Sequence, residues 1–250
     1  MESNPLLSII TVSAFDHERL GQTMTSLRNS TVGIEHVIVI PKNDLISLEM
    51  IRNFSSGSST RIQVVNDENT GIYPAMNIGG KHAIGKYLCF WNAGDKLYSQ
   101  QNLQMLVTDL ATNNPSWLIV QGAFDWHAPQ IMEKGAIRDF VLHKNMAFFS
   151  HQTIFLKKDL FLKMDGFKTK YRVAADASQI TYLFSLGNPS FLNLPIVNVE
   201  APVFAAKHNR RGRFENLLIT LFEMNGRMRF IALWNILRGE FIQLFARSRG

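Results

Sequence analysis

Apolar runs and amphipathic stretches alternate along the first half of the chain. Leu6-Leu7-Ser8-Ile9-Ile10-Thr11-Val12-Ser13 is β-branched and largely apolar, the pattern of a strand buried on both faces. From Asp16-His17-Glu18 to about Asn29, Leu20, Met24 and Leu27 recur at helical spacing and predict a helix. Residues 36–40 repeat the strand pattern, which Pro41 stops. A short helix over 45–54, a serine-rich loop over 55–59 and a third strand over 62–65 follow. Next come a helix over 74–84 with proline near its start, a fourth strand over 87–91, a helix over 102–112 and a strand over 117–123. Strands alternating with helices imply parallel pairing and a three-layer α/β architecture.

The second half is less regular. It predicts a strand near 153–156, helices near 159–164 and 176–186, and a strand pair around 191–203. The tail differs again. Phe230, Trp234, Leu237, Phe241 and Leu244 recur at three and four residues, widened by Ile231, Leu233 and Phe245 and flanked by Arg227, Arg229, Arg238 and Arg247. This is the pattern of a basic amphipathic helix, which either docks on the body with its arginines solvated or presents its basic rim to a partner surface. The chain therefore divides into a body over 1–206, with halves at about 1–125 and 126–206, and a tail over 207–250.

Charge sharpens that division. From Lys207 onward nine Lys and Arg stand against three Glu, so the whole net charge of +6 lies in the tail and the body is balanced. A neutral body with a basic, apolar-striped tail suits an anionic membrane surface better than nucleic acid. The single cysteine, Cys89, sits inside an apolar run and reads as a buried structural thiol. No signal peptide is visible, and no apolar run approaches the roughly 18 residues a spanning helix needs. These features predict a cytoplasmic protein, peripheral on the inner face of the plasma membrane.

Several residues could carry chemistry. Asp95 closes Asn92-Ala93-Gly94-Asp95 just past the fourth strand, where open α/β sheets bind ligands. Asn92-x-x-Asp95 offers hard oxygens that suit magnesium or manganese, although the same residues make a good turn. Asp176 opens a helix, where aspartate also serves as a cap. His151-Gln152 precedes the 153–156 strand. Lys207-His208-Asn209-Arg210-Arg211 gathers charge that suits a diphosphate, or forms a solvated basic loop. None of these signals is specific alone; their order is.

That order resembles the family 2 glycosyltransferases of bacterial surface-polysaccharide synthesis, above all a subgroup with Gly-Ile-Tyr-x-Ala-Met-Asn followed by a strand and Leu-Asn-x-Gly-Asp. Here these read Gly71-Ile72-Tyr73-Pro74-Ala75-Met76-Asn77 and Phe90-Trp91-Asn92-Ala93-Gly94-Asp95. His151-Gln152-Thr153-Ile154-Phe155 is similar to the family's His-Gln-x-x-Phe segment, and Gly166-Phe167 with Tyr171-Arg172-Val173-Ala174-Ala175-Asp176 to its Gly-Phe-Asp and Tyr-x-Ile-Ala-Asp pattern. The resemblance spans roughly residues 6–185. It implies a GT-A-type α/β/α sandwich with a mostly parallel sheet, and inverting, metal-assisted transfer from a nucleotide-diphosphate sugar.

The resemblance also implies roles. Asp95 would hold Mn2+ or Mg2+ and Asp176 would be the catalytic base. Thr11, Val12 and Ser13 would line the nucleoside pocket, with Asn77 and Asn92 near the donor. His208, Arg210 and Arg211 would add donors to the diphosphate, and His151 and Gln152 would face the acceptor. The acceptor would be a glycan or a sugar on a polyprenyl-diphosphate lipid, in cell-surface polysaccharide synthesis. The chain departs from the pattern after its second strand, where Ile40-Pro41-Lys42-Asn43-Asp44 replaces an acidic turn and leaves Asp44 as its substitute. That loss motivates one rival, a catalytically degenerate scaffold at the membrane. A nucleotidyltransferase is a poorer match, because Ala14-Phe15-Asp16-His17-Glu18 has no glycine for a phosphate loop.

Overall fold

The computed structural model describes residues 4–124, 150–200, 209–224, 226 and 229. His208 and the predicted tail stripe from Phe230 onward lie outside the described residues. The first half follows the alternation: β1 (Leu7–Val12), α1 (His17–Leu27), β2 (Ile34–Pro41), α2 (Leu45–Ser55), β3 (Arg61–Asp67), α3 (Ile72–His82) and β4 (Tyr87–Asn92). A two-residue β5 (Lys96–Leu97), α4 (Gln100–Asn113) and β6 (Trp117–Phe124) complete it. A single turn at His151–Thr153 leads into β7 (Ile154–Lys157), α5 (Lys158–Lys163), α6 (Ala175–Leu186), β8 (Ser190–Val199) and α7 (Asn209–Phe222).

The strands form one sheet in the order β3-β2-β1-β4-β7-β6-β8-β5. β3, β2, β1 and β4 are parallel, with Val12 beside Asn92 and Pro41 beside Asp67, so their carboxyl ends share one edge. β7 runs antiparallel to both β4 and β6, so the sheet is mixed and mostly parallel, as expected. The predicted strand pair over 191–203 is, as far as it is described, the one strand β8. Its register against β6 shifts where Gln121 meets Pro195 and Gly122 meets Val197. A bulge there accommodates the proline, which has no N–H for the ladder.

Alternation along the strands builds the two faces. Leu88 and Phe90 of β4 join Ile10 and Val12 under α3, α5, α6 and α7. Tyr87, Cys89 and Trp91 face α1 and α4 instead. Cys89 is fully buried and its thiol lies 3.2 Å from the Gln152 carbonyl. Burial pushes that thiol far above its ordinary range, which makes it a packing residue. The basic loop weighed for residues 207–211 is, from Asn209 on, the first turn of α7, which packs Ile219 into the same core as α6.

α3 seats closely on the sheet because Gly79 has no side chain. A Cβ there would stand 2.5 Å from Ile10 Cγ2 and 2.8 Å from Val39 Cγ2. Gly79→Val should therefore lower the unfolding free energy by about 2–3 kcal/mol through overpacking. Urea denaturation would show this as a lower midpoint at unchanged slope. An unchanged midpoint would mean that α3 does not rest on β1 and β2 at this point.

Candidate active site

The parallel strands end where the candidate residues gather. Past β4 the backbone reverses, with the Asp95 N–H donating to the Asn92 carbonyl at 3.1 Å. Gly94 takes φ +103°, a conformation open to glycine and costly to other residues. Asp95 is 1% exposed. Its Oδ2 accepts from the Asn92 backbone N–H at 2.7 Å and from Gln152 Nε2 at 3.1 Å. Its Oδ1 accepts from the Glu200 backbone N–H at 3.0 Å. Burial pushes this carboxyl above its usual range, against the pull of the Glu200 and Asn92 N–H groups, the Gln152 amide and nearby His151. All three partners donate, which offsets part of the cost of burying the charge.

Glu200 also carries a carboxylate to this turn. Its Oε2 accepts from Arg19 Nε at 2.6 Å and Nη2 at 2.5 Å. The Gly94 N–H in turn donates to the Arg19 carbonyl at 3.1 Å and to Thr23 Oγ1 at 2.9 Å. A Cβ on Gly94 would overlap the Glu200 carboxylate.

Asp176 is the second residue of α6, whose N-cap is Ala174, so it is not the cap that its position permitted. Its side chain is 28% exposed. Oδ1 accepts from the Tyr73 hydroxyl at 3.1 Å and the Ala177 N–H at 2.9 Å, and Oδ2 lies 3.6 Å from His151 Nδ1. Tyr73 OH is also 2.9 Å from the Val173 carbonyl. Burial, and then the charge of Asp176, hold the Tyr73 phenol well above its usual range, so it stays protonated and donates. His151 Nε2 is buried without a hydrogen-bond partner. Asp95 with Gln152, and His151 with Asp176 and Tyr73, are thus linked through the adjacent residues His151 and Gln152.

The other predicted residues divide. Asn92 ends β4 at this edge, and its Oδ1 is buried without a partner. Ser13 follows β1, but Thr11 is fully buried with its hydroxyl 2.9 Å from His36 Nε2, and Val12 belongs to the core. These two side chains face the interior rather than an open pocket. Burial brings the His36 imidazole down to about 3, so the ring in that pair is neutral. Asp44 caps α2, accepting from Ser47 N–H at 3.1 Å and Ser47 Oγ at 2.8 Å, and it holds the loop after β1 through Phe15 N–H at 3.1 Å. Asn77 is committed to the Phe167 backbone, donating to its carbonyl at 2.8 Å and accepting from its N–H at 2.7 Å. Gln152 is committed to Asp95. Arg211 donates to Glu215 at 2.7 Å, and Arg210 is exposed on α7.

Sequence reasoning assigned no role to Glu215. It is 3% exposed and accepts from the N–H groups of Arg172, Val173 and Ala174 at 3.0, 2.8 and 3.0 Å. It thereby holds the backbone that enters α6 just before Asp176. Tyr73, Arg19 and Glu200 were missed too. Of these only Tyr73 carried a signal, its place in Gly71-Ile72-Tyr73.

Residues 8–168 match glycosyl transferase family 2. The chain belongs to this family. A PGL/p-HBAD biosynthesis glycosyltransferase of Mycobacterium bovis is 27% identical over 217 residues, covering 86% of this chain and 81% of that protein. The fold is similar to that of residues 1–349 of S. aureus TarS, with TM-score 0.67 at 14% identity, over 86% of this chain and 64% of that one. TarS has also been solved with UDP and with UDP-GlcNAc. A mannosyltransferase of Pyrobaculum calidifontis, solved with GDP-Man and Mn2+, matches with TM-score 0.66 at 14% identity, over 92% of this chain and 69% of that one. The GT-A-type fold and the glycosyltransferase class follow.

Family membership raises the question of a divalent ion, and Asp95 does not fit the role expected of it. Three N–H donors occupy its oxygens and it is closed to solvent.

A pH-dependent prediction follows for this glycosyltransferase. Burial alone would raise the Glu215 carboxyl, but Arg211 and the Val173, Arg172 and Ala174 N–H groups outweigh it and hold it below its usual range. A depressed folded value stabilises fully above the unfolded one, near about 4.3, and is lost as pH falls through the lower folded value. Glu215→Gln should thus cost about 1.5–3 kcal/mol at neutral pH, a gap that narrows in unfolding curves taken below about pH 4. A gap independent of pH would contradict this role.

Proposed function

We propose that the chain transfers a sugar from a nucleotide-diphosphate sugar to a hydroxyl of a glycan or a polyprenyl-diphosphate-linked acceptor, with inversion, in cell-surface polysaccharide synthesis. The observation that carries this reading is the Asp176 carboxylate. It is partly open at the carboxyl edge of the sheet, oriented by Tyr73 on one oxygen and faced by His151 on the other. In the step assigned to it, Asp176 takes the proton of the acceptor hydroxyl while that oxygen bonds to the anomeric carbon. The bond from that carbon to the diphosphate breaks, and the nucleoside diphosphate leaves with its electron pair. A divalent ion supplies charge neutralisation for such a leaving group where one is bound; with Asp95 committed elsewhere, no step is assigned to it. The partly open carboxylate favours this reading over a degenerate scaffold.

The acceptor class and a peripheral site at an anionic membrane find support on α7. Phe214 and Phe222 are exposed there beside Arg210, Arg211 and Lys170, and the basic stripe of the sequence continues beyond. Among the described residues no helix is long and apolar enough to cross a membrane.

The reading is tested with a panel of UDP-, GDP- and dTDP-sugars, measuring release of the nucleoside diphosphate with extracted lipid-linked acceptors. Asp176→Asn should cut transfer by about 10²–10⁴-fold, the span of general-base catalysis, with nucleotide affinity retained. Near-normal turnover in that variant would remove Asp176 as the base.

A further inference from the structure

The turn after β4 presents a different charge arrangement from the one a carboxylate-held metal needs. Magnesium or manganese usually binds through one or two carboxylates together with phosphate and water. Two acidic side chains reach this turn. Asp95 is closed by its three N–H bonds. Glu200 occupies the space above Gly94, where a side chain from the turn itself would stand, and its Oε2 already carries two Arg19 N–H groups. A cation also reaches this turn, the Arg19 guanidinium. It lies in the first turn of α1, directly against the 92–95 turn, with its side chain 29% exposed and that of Glu200 33% exposed. Asp16 Oδ2 stands 3.7 Å from its Nη1.

We propose that Arg19 is the fixed cation for the donor's diphosphate in this chain, with Glu200 as the anion it exchanges, and that nucleotide binding does not run through a metal held by Asp95. This rests on the nucleotide-sugar reading above. A guanidinium suits the task because its planar fork pairs two oxygens of a phosphate at once. The exchange replaces one charge-assisted pair by another, so Arg19 need not be buried unpaired before the donor arrives. Glu200 then competes with the donor, and its removal frees the guanidinium.

Isothermal titration with UDP, GDP and dTDP, each in EDTA and in Mn2+, tests the proposal. Wild type, Arg19→Gln, Glu200→Gln and Asp95→Asn are compared, each shown folded by circular dichroism. One nucleotide should bind wild type with similar affinity in both buffers. Arg19→Gln should weaken it by about tenfold or more, the loss of hydrogen bonds to a charged group. Glu200→Gln should tighten it in EDTA. Binding that requires Mn2+ and disappears in Glu200→Gln or Asp95→Asn would overturn the proposal, because one of those carboxylates would then be the ligand. No binding of any nucleotide in either buffer would instead remove the donor-site reading itself, and the proposal with it.

Discussion

One buried carboxylate sets the geometry of the site. Asp95 lies where an unpaired charge would be prohibitively costly, and it is tolerated because three N–H donors converge on it. They come from Asn92 at the end of β4, Gln152 in the turn before β7, and Glu200 just past β8. Three segments far apart in sequence are thereby held at one point on the carboxyl edge of the sheet. The placement of His151 beside Asp176, and of the Glu200 carboxylate over Gly94, both follow from that convergence. Asp95 builds the site by giving up its lone pairs, which is why it has few left for a ligand.

The backbone entering α6 is braced by the same device. Glu215 on α7 gathers the three N–H groups that lead into α6, and Glu223 binds Ser178 Oγ at 2.5 Å and Tyr171 OH at 3.0 Å, with Lys168 and Lys170 beside it. Asn77 clamps the Phe167 backbone from α3. Asp176 therefore stands on a backbone fixed from two sides, while its own carboxylate keeps partial access to solvent. The proposed base role requires that combination, a carboxylate held still yet reachable by an acceptor hydroxyl.

The architecture was readable in the sequence because buried strands and amphipathic helices leave local patterns. The runs at Leu7–Val12 and Tyr87–Asn92, with the helical periods between them, suffice for the parallel half. The order of motifs singled out Asp176, and the structure sets it beside Tyr73 and His151. What local pattern hides is where a side chain's partners come from. A metal-binding aspartate and a turn-closing aspartate look alike in Asn92-Ala93-Gly94-Asp95, and the difference lies in Gln152 and Glu200, 57 and 105 positions away. The contacts of Asn77 to the Phe167 backbone and of Asp44 to Ser47 and Phe15 were hidden for the same reason. α7 lies within the tail expected to be helical, but its own buried face was not read, because that face includes Glu215 and Thr220 and inward polar residues weaken the helical signal.

The most direct measurement of this account is the unfolding free energy of Asp95→Asn against wild type, in EDTA and without nucleotide. The substitution keeps the shape but turns an amide NH2 toward N–H donors, leaving buried groups unsatisfied at about 1–3 kcal/mol each. If Asp95 is the structural tie described, the variant loses about 3 kcal/mol or more under these metal-free conditions, and Mn2+ does not narrow the gap. Equal stability in EDTA, with a Mn2+-dependent stabilisation seen in wild type alone, would make Asp95 a metal ligand and contradict the account.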